Sequence, residues 1–422
     1  MKLFACQARQ DLDEDMSNPS VEKTDSANRN SVQGTDNKNR RKICVITSTR
    51  ADYGHLFWIL KDLEKESVEL QILATGTHLS DEFGNTQTEI TRDGFVISEK
   101  VKSGMTSDQP IDIAKSLATT TVGIAESLQR LKPDMVVVLG DRFEILGAAQ
   151  AAHILNIPIA HIHGGETTEG AIDEAFRHSI TKMSQLHFVV SEPYRKRVIQ
   201  LGENPDHVLN FGAPSVDHLF RSEFLSKSEF EEKLGLKFKN QIFVVTFHPV
   251  TLSPDGDASH VQSMLGALAH FTDSTVVITG TNSDTFGRSI NTELSQFADS
   301  HSDRVRFSVS LGHKAYLSLL KIADLVIGNS SSGIIEAPSI GVPTINIGPR
   351  QKGRLRTPSI LDVDYDSQKI KEAIELATSQ KFRKSLESTP SPYGNGGASL
   401  KIAKTLATVN LSNIMNKHFY DL

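Results

Sequence analysis

Met135-Val136-Val137-Val138-Leu139 runs into Gly140-Asp141-Arg142 and then into Phe143-Glu144-Ile145-Leu146-Gly147-Ala148-Ala149. The first five residues are apolar without interruption, the pattern of a strand buried on both faces. Glu144 to Leu155 reads as a helix and Ile159 to Ile162 as the next strand. Strand, turn, helix and strand in so short a span imply a crossover between parallel strands, with helices covering the sheet.

Working outward, the same unit recurs. Upstream, Ile43 to Ile46 and Leu70 to Ala74 read as strands, with helices at Leu56 to Lys65 and Ile111 to Leu131; downstream, His187 to Val190 is a further strand. The pattern then restarts. Phe243 to Phe247, Thr275 to Ile278, Val305 to Phe307, Leu325 to Ile327 and Thr344 to Ile347 read as strands, and Val261 to His270, Ser289 to Phe297, Tyr316 to Ile322 and Ile334 to Ile340 as helices. Val216 to Lys239 looks like the connection, and Gly396 to Lys417 has helical periodicity. The expected organisation is a polar, disordered tail over 1–41, an α/β domain over 42–216, a second over 217–395, and a helix within 396–422 that packs back on the body.

The 422 residues are 38% hydrophobic and 23% charged, with a formal net charge of -6. That is an ordinary globular balance, and it argues against a general nucleic-acid binder, which carries a basic domain. Cys6 and Cys44 make neither a metal-ligand spacing nor a disulfide framework, which suits a cytoplasmic protein. No apolar run approaches the ~20 residues of a membrane-spanning helix, and Met1 to Gln10 lacks a secretory h-region. Arg40-Arg41-Lys42 reads as a solvated charge run.

In open parallel sheets ligands sit beyond the carboxyl ends of the strands, so the residues after each strand are the candidates. After the first strand comes Thr47-Ser48-Thr49-Arg50-Ala51-Asp52-Tyr53-Gly54-His55, neither a GxGxxG nor a Walker loop. Arg50 at a helix start suits a phosphate, although a capped turn with a solvated arginine reads equally well. His78 follows the second strand and gains meaning only if other groups converge on it. Asp141 and Arg142 are delivered together to the sheet edge. The next strand end is denser: His161-Ile162-His163-Gly164-Gly165-Glu166, followed by Glu169, Asp173, Glu174, Arg177 and His178. His-x-His with carboxylates can also ligate zinc, but nothing further along the chain completes such a site. In the second half, His248-Pro249, the Gly280-Thr281-Asn282 turn and Gly328-Asn329-Ser330-Ser331-Ser332-Gly333 stand at strand ends. Small hydroxyl residues at a helix N-terminus make an anion cradle for a diphosphate, with Glu336 a turn inside the helix and Arg350 beyond the next strand.

Together these motifs resemble the hydrolysing UDP-N-acetylglucosamine 2-epimerases of sialic acid biosynthesis. The match runs from about Lys42 to Lys404 through Arg50-Ala51-Asp52-Tyr53, Gly76-Thr77-His78-Leu79, Gly84-Asn85-Thr86, Gly140-Asp141-Arg142-Phe143, His161 to Glu166, Arg177 to Lys182, His248-Pro249, Gly328 to Gly333 and Arg350 to Arg354. The resemblance implies a GT-B-type α/β fold, two Rossmann-like doubly wound domains with the active site in the cleft. It implies anti elimination of UDP from UDP-GlcNAc through 2-acetamidoglucal, then hydration to ManNAc, with no cofactor and no metal. On that reading Asp141, Arg142, His163, Glu166, Asp173 and His178 are catalytic candidates. Arg50, Ala51, Asp52, Gly54, His78, His248, Asn282, Ser330, Ser331, Glu336 and Arg350 would bind the UDP-sugar, and a homodimer or homotetramer is implied.

Some members of the family carry glutamate at the position of His163, which leaves the acid and base roles open here. Relatives in the legionaminic acid pathway act on UDP-N,N'-diacetylbacillosamine, and the motifs do not separate the two sugars. A non-hydrolysing epimerase would be expected to show His-x-Glu-Ala-Gly-Leu-Arg where this chain has Gly164-Gly165-Glu166. A GT-B glycosyltransferase shares the fold but needs an acceptor. A non-enzymatic UDP-sugar sensor would have no use for the carboxylates.

Overall fold

The computed structural model describes residues 40–105, 107, 109–168, 171–249, 258–281, 287–386 and 390–422; the expectation for the polar tail falls almost wholly outside them. In the first half, strands β1 (Arg41–Thr47), β2 (Val68–Thr75), β3 (Glu99–Val101), β4 (Met135–Leu139), β5 (Ile159–Ile162), β6 (Leu186–Val189) and β7 (Val208–Asn210) form one sheet in the order β3-β2-β1-β4-β5-β6-β7. In the second half, β8 (Gln241–Thr246), β9 (Ser274–Thr279), β10 (Val305–Ser308), β11 (Leu325–Gly328), β12 (Thr344–Ile347) and β13 (Ile360–Val363) form another, in the order β10-β9-β8-β11-β12-β13. Every pairing in both sheets is parallel. Strand order therefore reverses between β1 and β4 and again between β8 and β11. At such switch points the loops diverge to opposite faces and open a crevice.

The apolar runs account for the core. Ile43, Val45, Val137 and Ile162 face one layer of helices while Cys44, Ile46, Val136 and Val138 face the other, all fully buried. The first strand begins two residues earlier than the apolar pattern indicates. Arg41 is not a solvated charge: its guanidinium donates to the carbonyls of Leu406 at 2.6 Å and Val409 at 2.7 Å. The helix expected from Leu56 starts at Arg50. Thr49 and Asp52 form a capping box, each side chain accepting from the other's backbone N–H, which nucleates a turn that hydrophobic periodicity does not register. The strands missed by the sequence reading, β3, β7 and β13, are sheet edges of three or four residues with mixed burial.

Two devices tie the halves together. Helix Ala398–Thr408 returns to the first half and buries Ile402, Ala403 and Leu406 against Leu56, Ile59 and Leu60 of helix Arg50–Leu63. In the connection, the Asp217 carboxylate accepts the N–H groups of Gly397 and Ser399, capping that returning helix. His218 Nε2 donates to the Gly54 carbonyl at 2.7 Å, and Arg221 forks onto Asp62 at 2.5 and 2.7 Å. No helix of the described residues is long and apolar enough to cross a membrane.

Candidate active site

The turn after β1 is built around Asp52. Its carboxylate accepts from Thr47 Oγ1 at 2.6 Å, from the N–H and hydroxyl of Ser48 at 2.8 Å, and from Thr49 N–H at 3.0 Å. Burial alone would raise its pKa, but these donors and His78 prevail and hold it below the usual carboxylate range. His78 is fully buried, with Thr47 Oγ1 at 2.9 Å on Nε2 and Thr86 Oγ1 at 2.8 Å on Nδ1. Asp52 and His78, expected from sequence to contact the ligand, both hydrogen-bond within the turn. The Gly54 carbonyl accepts from His218. Ala51 is exposed, and Arg50 reaches across to the second half, where Nη1 donates to Ser310 Oγ at 2.6 Å.

After β4, Gly140 turns the chain at φ +81° and presents Asp141 and Arg142. Asp141 pairs with Arg177, whose other contacts are the Glu166 carbonyl at 2.9 Å, Glu174 at 2.8 Å and Thr168 Oγ1 at 2.8 Å. Arg177 is buried on helix Asp173–Met183, so one guanidinium knits the loop after β4 to the loop after β5. A planar fork with donors on both edges suits that task; a lysine could not span it. Arg142 lies against Glu144 at 3.2 Å, and the charges of Glu144 and then Asp173 hold its pKa up against burial. His161 is fully buried, with Gly140 O at 2.8 Å on Nε2 and Thr181 Oγ1 at 3.2 Å on Nδ1. Burial pushes its pKa down to about 3, so it is a neutral pin beneath the Asp141 turn.

His163 and Glu166 form the centre. His163 has φ +68°, an uncommon conformation for a residue with a side chain, and Nδ1 lies 2.5 Å from Glu166 Oε1. Its Nε2 is buried and has no hydrogen-bond partner among the described residues. The His55 ring packs against it with centroids 5.2 Å apart. Gly165 permits this arrangement: at φ +78°, a Cβ there would lie 2.5 Å from the Tyr194 carbonyl. Glu166 Oε2 faces Arg354 Nη2 of the second half at 3.6 Å. Burial opposes its ionisation, but His163 and Arg354 prevail and hold the carboxyl down at about 2. Asp173 is half-buried at the start of its helix, where its charge acts on Arg142. His178 Nε2 lies 3.1 Å from Glu174.

Across the cleft, Gly328 leaves β11 at φ +130°, where a Cβ would stand 2.0 Å from the Thr246 carbonyl. Only glycine lets β11 and β8 end so close together. Asn329 then staples the two loops, accepting from His248 N–H at 2.7 Å and donating to the His248 carbonyl at 2.8 Å. Arg350 and Gln351 both donate to the Asn329 carbonyl, at 3.2 and 2.8 Å. Burial first, and the Arg350 charge second, push His248 well below the usual histidine range. Ser330 and Ser331 lead into helix Ser332–Ser339, whose first N–H groups bond their carbonyls, and Tyr316 holds Ser332 Oγ at 2.9 Å. Glu336 is buried inside that helix with its pKa raised by burial, within electrostatic reach of His163 from the first half. Asn282 lies outside the described residues.

The structure thus brings Asp141, Arg142, His163, Glu166, Asp173 and His178 to one sheet edge and His248, Ser330, Ser331, Glu336 and Arg350 to the other. Sequence reasoning noted Arg177, Glu174 and Arg354 in passing and gave them no role. A Glu-x-x-Arg pair on one helix face was the available signal for the first two. Arg354 had no local signal, because its partner is in the other domain. Chemically, the arrangement pairs an ionised carboxylate and imidazole with a polar, cation-bearing rim, suited to proton transfer beside a leaving anion.

The sequence profile of the family described as UDP-N-acetylglucosamine 2-epimerase matches residues 61–407. The chain is 40% identical to the GDP/UDP-N,N'-diacetylbacillosamine 2-epimerase (hydrolyzing) of Campylobacter jejuni, over 91% of this chain and 100% of that protein. It is 36% identical to polysialic acid biosynthesis protein P7 of Escherichia coli, over 90% of this chain and 98% of that one. Its fold is that of the UDP-GlcNAc 2-epimerase from Neisseria meningitidis crystallised with UDP-GlcNAc, with TM-score 0.65 and 19% identity over 86% of this chain and 99% of that one.

Proposed function

The chain belongs to the UDP-N-acetylglucosamine 2-epimerase family, and on that premise we propose that it hydrolyses a UDP-linked 2-acetamido sugar with inversion at carbon 2. The observation that carries this reading is Glu166, a buried carboxylate kept ionised by His163 and Arg354 at the junction of the two halves.

In the proposed reaction a base removes the proton from carbon 2 while the bond from carbon 1 to the diphosphate oxygen breaks. The electron pair of the C–H bond becomes the new C1–C2 double bond, and that of the C–O bond leaves on UDP. The His163–Glu166 pair supplies a base: Glu166 fixes the ring through Nδ1, leaving Nε2 as the atom able to take a proton. Asp141, held by Arg177, is the carboxylate placed to stabilise positive character at carbon 1. Protonation of the glycal on its opposite face and addition of water at carbon 1 complete the inversion, with Asp173 or His178 as the second acid. His248, Arg350 and the Ser330-Ser331 turn would hold the diphosphate, and Glu336 the ribose hydroxyls.

UDP-GlcNAc, giving ManNAc for sialic acid synthesis, is the first reading of the sugar. A second is favoured by the 40% identical relative, whose name specifies N,N'-diacetylbacillosamine. Incubation with each UDP-sugar in deuterated water, followed by NMR, tests both. Free 2-epimerised sugar carrying deuterium at carbon 2, plus UDP, is the expected product. A nucleotide-bound epimer would move the chain to the non-hydrolysing type, and inertness toward both sugars would refute the proposal.

A further inference from the structure

Within its own turn, Arg354 N–H donates to the Gln351 carbonyl at 3.3 Å. The next residue, Leu355, is held at both ends of its peptide by tyrosines from elsewhere. Its N–H donates to Tyr194 Oη at 3.2 Å, and its carbonyl accepts from Tyr393 Oη at 3.4 Å. Tyr194 sits on helix Glu192–Gln200 of the first half, and Tyr393 on the strand of chain that returns from the second half toward helix Ala398–Thr408. Both rings are 1% exposed. Burial raises both phenols, so they remain neutral hydrogen-bonding groups. The carbonyl of Tyr194 is the same atom that Gly165 must approach so closely. One residue therefore abuts the loop carrying Glu166 with its backbone and grips the loop carrying Arg354 with its side chain.

We propose that Tyr194 and Tyr393 are positioning residues forming a latch that seats Arg354 on Glu166 when the two halves meet. The latch rests on the reading of Glu166 as part of the catalytic base. Its consequence is that the acidity of Glu166 depends on domain contact: with the latch released, Arg354 withdraws and one of the groups that hold the carboxyl down is lost. The other titratable and charged groups facing Glu166 are His163 and His55 from the first half, Arg177 on its backbone carbonyl and Arg197 on that of Gly165. All of these belong to the first half, so Arg354 is the cation whose presence reports closure.

Tyr194→Phe removes one hydroxyl and preserves the packing volume, so the fold is retained. The expected result is a drop of about tenfold in kcat/KM, with the acid limb of the pH profile moved up by about one pH unit and UDP affinity within twofold. Glu166 itself is followed by carboxyl-carbon NMR titration of glutamate-labelled enzyme, assigned with Glu166→Gln. Its midpoint should rise in Tyr194→Phe and in Arg354→Gln, and the double variant should rise no further than Arg354→Gln alone. An unmoved Glu166 titration in Tyr194→Phe, or single effects that add in full in the double variant, would overturn the latch. The titration needs no substrate. A wild-type enzyme that fails to release free sugar therefore defeats the catalytic reading while the latch is still decided.

Discussion

Glu203 anchors the helix that carries Arg177 and His178, and its removal has a calculable cost. Its side chain is 2% exposed and takes Lys417 Nζ at 2.6 Å, Lys182 Nζ at 2.7 Å and His187 Nε2 at 3.0 Å. Lys182 is on the last turn of helix Asp173–Met183, and Lys417 belongs to the segment after helix Ala398–Thr408. Burial pushes the Glu203 pKa up, but His187 and the two lysines outweigh it and hold the carboxyl at about 2, against an ordinary 4.5. A depressed folded-state pKa contributes stability above the unfolded value, which is lost as pH falls from about 4.5 toward 2. That gap corresponds to about 3 kcal/mol at neutral pH. Lys182 is 40% exposed and its share is screened, which leaves roughly 2 kcal/mol. From the other side, Glu203→Gln leaves His187 and Lys417 facing a neutral amide, and breaking a buried ion pair costs about 3–5 kcal/mol. The two routes bracket a loss of about 2–5 kcal/mol, a large share of the ~5–15 kcal/mol of a typical fold. Urea unfolding of wild type and Glu203→Gln at pH 6 and pH 3 measures it. The variant should unfold at lower urea at pH 6, and the difference should shrink by more than about 1 kcal/mol at pH 3. A difference under about 0.5 kcal/mol at pH 6, or one unchanged by acid, would refute the argument.

Three further outcomes follow from the site. Glu166→Gln should lower kcat by about 10²–10⁴-fold while UDP still binds in calorimetry, because the proposed diphosphate cradle is on the opposite domain; loss of UDP binding would place Glu166 in the nucleotide site instead. Arg177→Lys keeps the charge but cannot bridge Asp141, Thr168, Glu174 and the Glu166 carbonyl together, so kcat/KM should fall about 10²-fold with little change in KM, as steady-state kinetics would show. Gly328→Ala should destabilise by more than about 3 kcal/mol in thermal or urea unfolding, since the added methyl would meet the Thr246 carbonyl at 2.0 Å.

Much of this protein is legible along the chain. The uninterrupted apolar run marks β4 to the residue, because a strand buried on both faces is apolar throughout, and β5 and β12 match their expected bounds although His161, Thr344 and Asn346 interrupt the apolar pattern. The strand-end positions of the candidate site are legible too, since a parallel sheet delivers its loops to one edge, and Asp141, Glu166, His248 and Ser330 all follow strands. Edge strands are not, because half their surface is satisfied by solvent and their composition is mixed. What only the tertiary structure decides is which groups each polar residue meets. Asp52 and His78 meet Thr47, Ser48, Thr49 and Thr86. Arg354 looks like one of several cations in a run, yet it is the one that meets Glu166. Local pattern encodes periodicity and capping, which depend on neighbours a few residues away. The fate of a charge depends on the group it meets across a cleft, and 188 positions separate Glu166 from Arg354 (354 − 166).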